Sequence, residues 1–290
     1  MTSKAGDPLR VVDREEPSEA DEERKLEERL GLIRHKLLVL SGKGGVGKST
    51  VAANLAVSLA RAGNKVGLLD IDIHGPSIPK MLGLESQQIV GSEDGMLPVR
   101  VSENLAVMSI GFMHPGNAAP VIWRGPLKYG VIRQFLMDVD WGSLDYLVVD
   151  SPPGTGDEPL SVAQLIGRDA GAVIVTTPQD VAIADVRRCV TFCNKLSLPV
   201  VGIVENMSCY VCPKCGDRAN LFGAGGGRRL AEEMDVPFLG EVPIDPDILT
   251  SGDIGKPFTA EYAISPGALA FAKVVAAIVE PQSALMHQTV

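Results

Sequence analysis

Short apolar segments alternate along this chain with longer amphipathic ones. The apolar segments are bounded by glycines or carboxylates and comprise residues 37–40, 66–69, 146–149, 172–176 and 200–204. Continuous apolarity indicates strands that are buried on both faces, as in a parallel sheet covered by helices. The pattern therefore predicts an α/β fold with a doubly wound, mainly parallel sheet and helices on both faces.

Two segments carry apolar residues at the spacing of an amphipathic helix, one after the first predicted strand and one after the fourth: Val51, Leu55, Leu59 and Ile183, Val186, Val190. Together with the strands they predict one domain over residues 36–280. Residues 1–35 precede it and hold nine acidic side chains between Asp13 and Glu28. We expect this segment to be a solvated acidic tail, disordered or helical, and residues 281–290 to be a loose C-terminal tail.

Composition narrows the function classes. The chain has 290 residues, 45% of them hydrophobic, and a formal net charge of −9, which argues against a nucleic-acid partner. No apolar segment reaches the ~20 residues that cross a bilayer, so no membrane span is expected. The N-terminus lacks the features of a signal or transit peptide, and we expect a cytoplasmic protein whose five cysteines are thiols.

A glycine-rich segment after the first predicted strand carries the clearest chemistry. It fits the pattern G-x-x-x-x-G-K-[ST], placed between a strand and a helix. Backbone amides in such a loop surround phosphate oxygens, the lysine reaches the β- and γ-phosphates, and the hydroxyl binds Mg²⁺. The predicted nucleotide-binding residues here are Gly42, Lys43, Gly44, Gly45, Val46, Gly47, Lys48, Ser49 and Thr50, with ATP and Mg²⁺ as cofactors.

The same segment also satisfies the dinucleotide pattern G-x-G-x-x-G through Gly42, Gly44 and Gly47. Asp70 ends the next strand, where a dinucleotide fold keeps its ribose-binding carboxylate. A hydride-transfer enzyme is therefore an alternative. A lysine and a hydroxyl in the first helical turn favour a triphosphate with its metal, because a pyrophosphate held by bare backbone needs neither.

Carboxylates end two of the predicted strands at the edge that also carries the phosphate loop. Asp70 and Asp72 follow one strand and Asp150 follows another. Such residues place oxygen ligands near the metal of a bound nucleotide, although a strand-terminal Asp can also cap a helix or turn. The loop at 151–157, with two prolines and then two glycines, has the makeup of a segment that moves as a unit.

The segment KGGVGKST resembles the deviant Walker A motif of the ATPase class that contains MinD, ParA and the nitrogenase iron protein. The resemblance implies a homodimer in which Lys43 reaches the partner's phosphates. It also implies that Asp150 is the Walker B aspartate, that Asp72 orients or deprotonates the attacking water as switch I, and that residues 151–157 are switch II. Lys43, Lys48 and Asp72 are then catalytic, and Ser49, Asp72 and Asp150 surround Mg²⁺.

The cysteines suggest a metal. Cys212 and Cys215 are separated by two residues in a predicted loop, and two thiolates at this spacing can share an ion or a cluster. Zinc or a [4Fe–4S] cluster takes four ligands, so two more must come from Cys189, Cys193 and Cys209 or from a second copy. Cys189 and Cys193 lie one turn apart on a predicted helix with apolar neighbours, where inert buried thiols are usual.

ENMS and CPKCG, with DIDIHGPSIPKMLG and VVDSPPGTGD, resemble the Mrp/ApbC-type iron–sulfur cluster carrier ATPases. That resemblance implies a labile [4Fe–4S] cluster bridged by Cys212 and Cys215 of two protomers and passed to apo iron–sulfur proteins. It places Asn206 and the loop of Pro243 and Asp245 beside the adenine base. The role of Cys209 stays open.

Two further alternatives come from the same class of ATPases. A MinD- or ParA-like positioning protein would need a basic amphipathic C-terminal helix or a DNA-binding surface, and residues 268–280 carry one lysine. A dimer bridged by a structural zinc would use the same thiolates as a cluster.

Overall fold

The computed structural model describes residues 18–73, 75–92, 95–113, 125–212 and 214–286, without the side chains of 125–128 and 280–286. The described strands are β1 (Ile33–Ser41), β2 (Val66–Asp70), β3 (Val90–Ser92), β4 (Gly95–Leu97), β5 (Val99–Ser102), β6 (Leu105–Ser109), β7 (Leu144–Asp150), β8 (Ala170–Thr176), β9 (Val200–Val211), β10 (Arg218–Ala219) and β11 (Phe238–Ile244). The described helices are α1 (Glu19–Gly31), α2 (Lys48–Arg61), α3 (Ile78–Met81), α4 (Gly125–Asp138), α5 (Asp157–Ile166), α6 (Asp180–Lys195), α7 (Gly226–Glu233), α8 (Pro246–Asp253), α9 (Phe258–Glu261) and α10 (Pro266–Met286).

Nine of the described strands form one sheet in the order β10-β9-β8-β1-β7-β2-β6-β5, with β11 also paired to β9. The pairs from β6 across to β9, and the pair of β9 with β11, are parallel. The pairs of β5 with β6 and of β10 with β9 are antiparallel. The mainly parallel sheet confirms the predicted fold class, and all five predicted strands are present.

Both faces of this sheet are covered. Every residue of β2 and of β8 is buried, and successive side chains of a strand point to opposite faces. Helices α2, α9 and α10 pack against one another, as do α1 with α4 and α4 with α5. Most of the apolar residues predicted to line α2 and α6, among them Val51, Leu55 and Val186, belong to the core, and Ile183 is partly buried against it.

The N-terminal boundary differs from the expectation. The predicted tail of residues 1–35 contains the helix α1, and the strand β1 begins at Ile33 rather than near residue 37. Leu26 and Leu30 are buried in the core. An ion pair between Lys25 and Asp138 (2.6 Å) joins α1 to α4. The acidic residues mask this amphipathic pattern, because few apolar positions suffice to anchor a helix whose other faces are solvated. Residues 1–17 lie outside the described part.

The C-terminal end also differs. Helix α10 continues to Met286, beyond the expected start of a loose tail at residue 281. Residues 287–290 lie outside the described part of the chain. None of the described helices is both long and apolar enough to cross a lipid bilayer.

Candidate nucleotide site and thiol pair

The carboxyl ends of three neighbouring strands meet below the glycine-rich loop. β1 leads into that loop at Ser41, and β7 lies between β1 and β2. In the parallel register Asp150 of β7 pairs with Val39 of β1 on one side and with Asp70 of β2 on the other. The sheet topology thus assembles the carboxylates that the sequence places at separate strand ends, at the edge where open α/β sheets bind their ligands.

Close packing explains two glycines of the phosphate loop. A Cβ at Gly42 would lie 2.5 Å from the Cβ of Asp185 and 2.6 Å from its carbonyl carbon, so the loop passes directly over α6. Gly47 has a φ of 82°, and a Cβ there would lie 2.2 Å from Nδ2 of Asn206. The loop then turns into α2, whose first residue is Lys48. The glycines therefore fix the path of the loop as well as its backbone shape.

Lys48 lies among carboxylates at the base of the loop. Its ammonium group is hydrogen-bonded to Oδ1 of Asp150, lies 3.5 Å from Oδ2 of Asp72 and lies 3.2 Å from Oγ of Ser49. The Lys48 and Asp150 side chains are buried, and Asp72 is 8% exposed. A buried cation among acidic groups, next to backbone amides at a helix N-terminus, is a site built for a phosphate and its metal.

Asp150 fits a magnesium site. Burial raises the pKa of its carboxyl, and the charge and hydrogen bond of Lys48 oppose that rise. Its Oδ2 is buried and has no hydrogen-bond partner among the described residues. A buried oxygen of this kind needs a water or a metal-bound water as its partner. Ser49 and Asp72 lie beside it, so all three residues predicted to surround Mg²⁺ are together.

Asp70 is built into the protein interior. It is fully buried, accepts a hydrogen bond of 2.8 Å from the hydroxyl of Ser109 and one of 3.1 Å from the backbone N–H of Asp72. Burial and the neighbouring charge of Asp150 raise its pKa to about 8. A carboxyl group held inside the sheet in this way is not presented to a ribose, which removes the main support for the dinucleotide alternative.

A cavity of about 850 Å³ adjoins the loop and contains the residues predicted to contact the base. Thr50, Asn206, Pro243 and Asp245 all line it. The Asn206 amide donates a hydrogen bond of 2.9 Å to the carbonyl oxygen of Val46 in the phosphate loop. The carboxylate of Asp245 accepts a hydrogen bond from the N–H of Asp247 (3.0 Å) and so caps the N-terminus of α8. We call this space the base cavity.

The predicted switch II loop begins where β7 ends. The backbone N–H of Gly154 donates to the carbonyl oxygen of Ser41 (2.8 Å), which joins the loop to the end of β1. Asp157 is the first residue of α5, and Gly156 occupies the N-cap position with no side-chain capping hydrogen bond, so Asp157 does not cap the helix. The action of Lys43 on the phosphates of a second copy stays a prediction.

The thiol pair lies at the tip of a hairpin rather than in a free loop. β9 runs on to Val211, and β10 returns antiparallel beside it. The Cys212 N–H donates to the Asp217 carbonyl oxygen, and the Gly216 N–H donates to the Cys212 carbonyl oxygen, both at 2.9 Å. We call the end of β9, the turn and β10 the thiol hairpin. A hydrogen bond between the Cys215 and Cys212 side chains shows that the two sulfur atoms lie close together.

The environment of Cys212 favours a thiolate. Hydrogen bonds from the backbone N–H groups of Cys215 and Lys214, and then from the Cys215 thiol, lower the pKa of Cys212. Cys212 is half-buried and Cys215 is exposed. Thiolates are the form that binds zinc or iron, so the turn is suited to a metal.

The remaining cysteines are separate from this pair. Cys189 and Cys193 are buried, as predicted, and burial raises the pKa of each thiol to about 12. Cys209 is buried within β9. Across the described ranges no group of three or more His, Cys, Asp or Glu side chains is arranged to hold a metal ion. Among the described residues, no third side chain of these types therefore joins Cys212 and Cys215 in such a group.

The sequence does not predict two parts of the site. Ser109, which holds Asp70, ends a strand with no motif of its own. Leu221 and Phe222 line the base cavity although they follow the thiol hairpin. The sequence offers one signal for Phe222, an aromatic residue beside a glycine-rich segment, but only the fold shows which cavity this residue lines.

A strand, a glycine-rich loop with its lysine and hydroxyl, and carboxylates on the adjoining strands define a P-loop NTPase. A family model described as a NUBPL iron-transfer P-loop NTPase of the ParA group matches residues 32–279. Since the match covers most of the chain, the protein belongs to this family of iron-transfer P-loop NTPases.

Individual relatives agree with the family. The chain is 54% identical over 249 residues to a cytosolic Fe-S cluster assembly factor NUBP2 homologue from Trichoplax adhaerens, covering 84% of this chain and 94% of the relative. A nucleotide-binding protein from Archaeoglobus fulgidus, solved with ADP and with cobalt found, is 45% identical with a TM-score of 0.73, covering 82% of this chain and 93% of that one. MinD of Pyrococcus horikoshii, with Mg-ADP, is 24% identical with a TM-score of 0.59 over 83% of this chain and 94% of that one, and shares the fold.

Proposed function

We propose that this protein is an ATP-hydrolysing carrier of iron–sulfur clusters. In this proposal a labile [4Fe–4S] cluster is cargo, held between two copies of the chain by Cys212 and Cys215 of each. The observation that carries the proposal is the shared strand β9, which contacts the phosphate loop through Asn206 and ends at the thiol pair. One continuous strand thus runs from the loop proposed to hold the nucleotide to the two thiols proposed to hold the cluster.

The number of ligands supports a symmetric pair. A [4Fe–4S] cluster takes four protein ligands, and Cys212 and Cys215 place two thiols at one turn of each chain. A two-fold axis brings the same two residues from a second copy, which completes the set without any further residue type. We therefore include a homodimer in the proposal.

The roles of the phosphate-site residues follow from their positions. Lys48 leaves the carboxylates for the β- and γ-phosphates when ATP binds, and the backbone amides of the loop hold the phosphate oxygens. Ser49, Asp72 and Asp150 would hold Mg²⁺, which would supply positive charge to offset that of the phosphates. Asp72 orients the attacking water, and Lys43 acts on the phosphates of the second copy. We expect slow hydrolysis, because in this proposal it serves as a switch for the cluster.

The proposed cellular location is based on the Fe-S cluster assembly factor from Trichoplax adhaerens. That protein is described as a cytosolic Fe-S cluster assembly factor. A reducing compartment keeps thiols free to bind a cluster, which fits a pair with one exposed and one half-buried sulfur. We accordingly propose a cytoplasmic location and apo iron–sulfur proteins as recipients.

A transfer assay tests this function. The chain is loaded anaerobically with iron and sulfide, purified, and mixed with an apoenzyme whose activity depends on a [4Fe–4S] cluster. We expect the activity to appear with the wild-type chain and not with the Cys212→Ala/Cys215→Ala variant. Cys193→Ala, which removes a buried thiol outside the pair, serves as the control and should still transfer. A colourless, zinc-containing wild-type protein with no transfer would contradict the proposal.

A further inference from the structure

The segment that leaves the thiol hairpin forms part of the wall of the base cavity. β10 ends at Ala219, and Leu221 and Phe222 follow after one intervening residue. Both side chains line the base cavity on which Asn206 and Pro243 also lie. Leu221 is 59% exposed and Phe222 is 39% exposed, so neither side chain is fully covered by packing within the chain. An aromatic face is therefore available at the place where the base is expected.

Both ends of this segment are fixed to β9. Upstream, Ala219 pairs with Tyr210 of β9. Downstream, the buried carboxylate of Glu205 accepts hydrogen bonds from the N–H groups of Gly225 (3.2 Å) and Gly227 (2.5 Å) at the start of α7. A Cβ at Gly227 would lie 3.1 Å from Oε2 of Glu205, so the glycine lets the backbone approach this closely. The position of Phe222 is thus tied to the strand that carries the thiols.

We propose that Phe222 stacks on the adenine base and that this contact couples nucleotide binding to metal binding at the thiol pair. Removing an aromatic side chain on which a base stacks weakens binding about tenfold. The coupling rests on the proposed function, because it requires the thiol pair to bind metal. Coupling between two sites is reciprocal: a nucleotide that positions Phe222 changes metal affinity by the same factor as metal changes nucleotide affinity.

Cobalt titration of the full chain measures this coupling. Co²⁺ bound by thiolates has a charge-transfer absorption, which reports the thiol pair and not the phosphate site. We expect saturating MgADP to change the apparent Co²⁺ affinity of the wild-type chain by about fivefold or more. In Phe222→Ala, the ratio of the Co²⁺ affinities measured with and without MgADP should be close to one. The same variant should bind MgADP about tenfold more weakly. Phe222→Tyr keeps the ring and should keep both properties.

A matched variant separates this contact from general changes in the cavity. Leu249 also lines the base cavity and is 71% exposed, but it belongs to α8 and not to the segment after the hairpin. Leu249→Ala should therefore keep the wild-type ratio of Co²⁺ affinities. A loss of the ratio in Leu249→Ala equal to that in Phe222→Ala would overturn the proposal.

The outcomes distinguish this inference from the function on which it rests. If the wild-type chain gives no thiolate signal, or if Cys212→Ser/Cys215→Ser leaves it unchanged, both are wrong. If the signal is present but MgADP does not alter the Co²⁺ affinity, or Phe222→Ala keeps the wild-type ratio, the coupling alone is wrong. If Phe222→Ala reduces the mass of the assembly while MgADP affinity stays the same, Phe222 is a contact between copies and the stacking proposal fails.

Discussion

The side-chain amide of Asn206 donates a hydrogen bond to the carbonyl oxygen of Val46, over 2.9 Å, and so ties strand β9 to the phosphate loop. The preceding residue, Glu205, holds the first turn of α7. Two adjacent residues of one strand thus fix the loop on one side and the segment after the thiol hairpin on the other. This arrangement makes β9 the element through which the two sites can affect each other.

Removing the Asn206 amide should weaken nucleotide binding. Asn206→Ala leaves the buried Val46 carbonyl without its partner, which costs about 1–3 kcal/mol. We expect the Kd of MgADP, measured by titration calorimetry, to rise about tenfold. Asn194→Ala removes the same group from an exposed position on α6 and should leave the Kd unchanged. Equal Kd values for wild type and Asn206→Ala would show that the hydrogen bond does not position the loop.

A methyl group at Gly42 should destabilise the folded chain. Its Cβ would lie 2.6 Å from the carbonyl carbon of Asp185, and α6 backbone cannot move aside without disturbing the core. Overpacking of this kind costs about 1–3 kcal/mol, so thermal unfolding without nucleotide should occur several degrees lower in Gly42→Ala. Gly44→Ala has open space around its Cβ and should keep the wild-type Tm. The same Tm for both variants would refute the close approach of the loop to α6.

The buried carboxyl of Asp70 should make stability depend on pH. Its pKa is raised to about 8, against an ordinary value of 3.8. The folded chain therefore keeps a proton that the unfolded chain releases above about pH 4, and the stability linked to that proton is lost as the pH rises towards 8. We expect the free energy of unfolding of the wild type to fall between pH 5 and pH 8.

Asp70→Asn is the matched variant for this pH dependence, because an amide keeps the shape and does not titrate. Its free energy of unfolding should fall by about 1–3 kcal/mol less than that of the wild type over the same interval. Urea unfolding at the two pH values measures the difference. Parallel pH curves for wild type and Asp70→Asn would mean that Asp70 ionises normally.

The N-terminal helix should contribute to the stability of the whole domain. Leu30 of α1 is 9% exposed and belongs to the core, whereas the neighbouring Leu32 is 46% exposed. Leu30→Ala should lower the free energy of unfolding by about 2–4 kcal/mol. Leu32→Ala should lower it by less than about 1 kcal/mol. If Leu30→Ala has no larger effect than Leu32→Ala, α1 does not belong to the core as the fold indicates.

The sequence predicts those parts of the fold that depend on local pattern. The central strands are apolar along their whole length, and the phosphate loop has a fixed spacing, so both are found where expected. The sequence allows a helix in the N-terminal segment but does not indicate that it packs into the core, because its few buried apolar residues, Leu26 and Leu30, lie among many acidic ones. The surroundings of Asp70 and the wall formed by Phe222 depend on contacts between distant residues, which no local pattern encodes.

The stoichiometry of a loaded assembly tests the central claim most directly. The chain is reconstituted anaerobically with iron and sulfide, and iron per protomer is measured beside the mass of the assembly by native mass spectrometry. One [4Fe–4S] cluster bridging two copies predicts a dimer with about two iron atoms per protomer. The Cys212→Ala/Cys215→Ala variant should lose both the iron and the dimer. About four iron atoms on a monomer, or a full iron content in the double variant, would contradict a cluster shared between two thiol pairs.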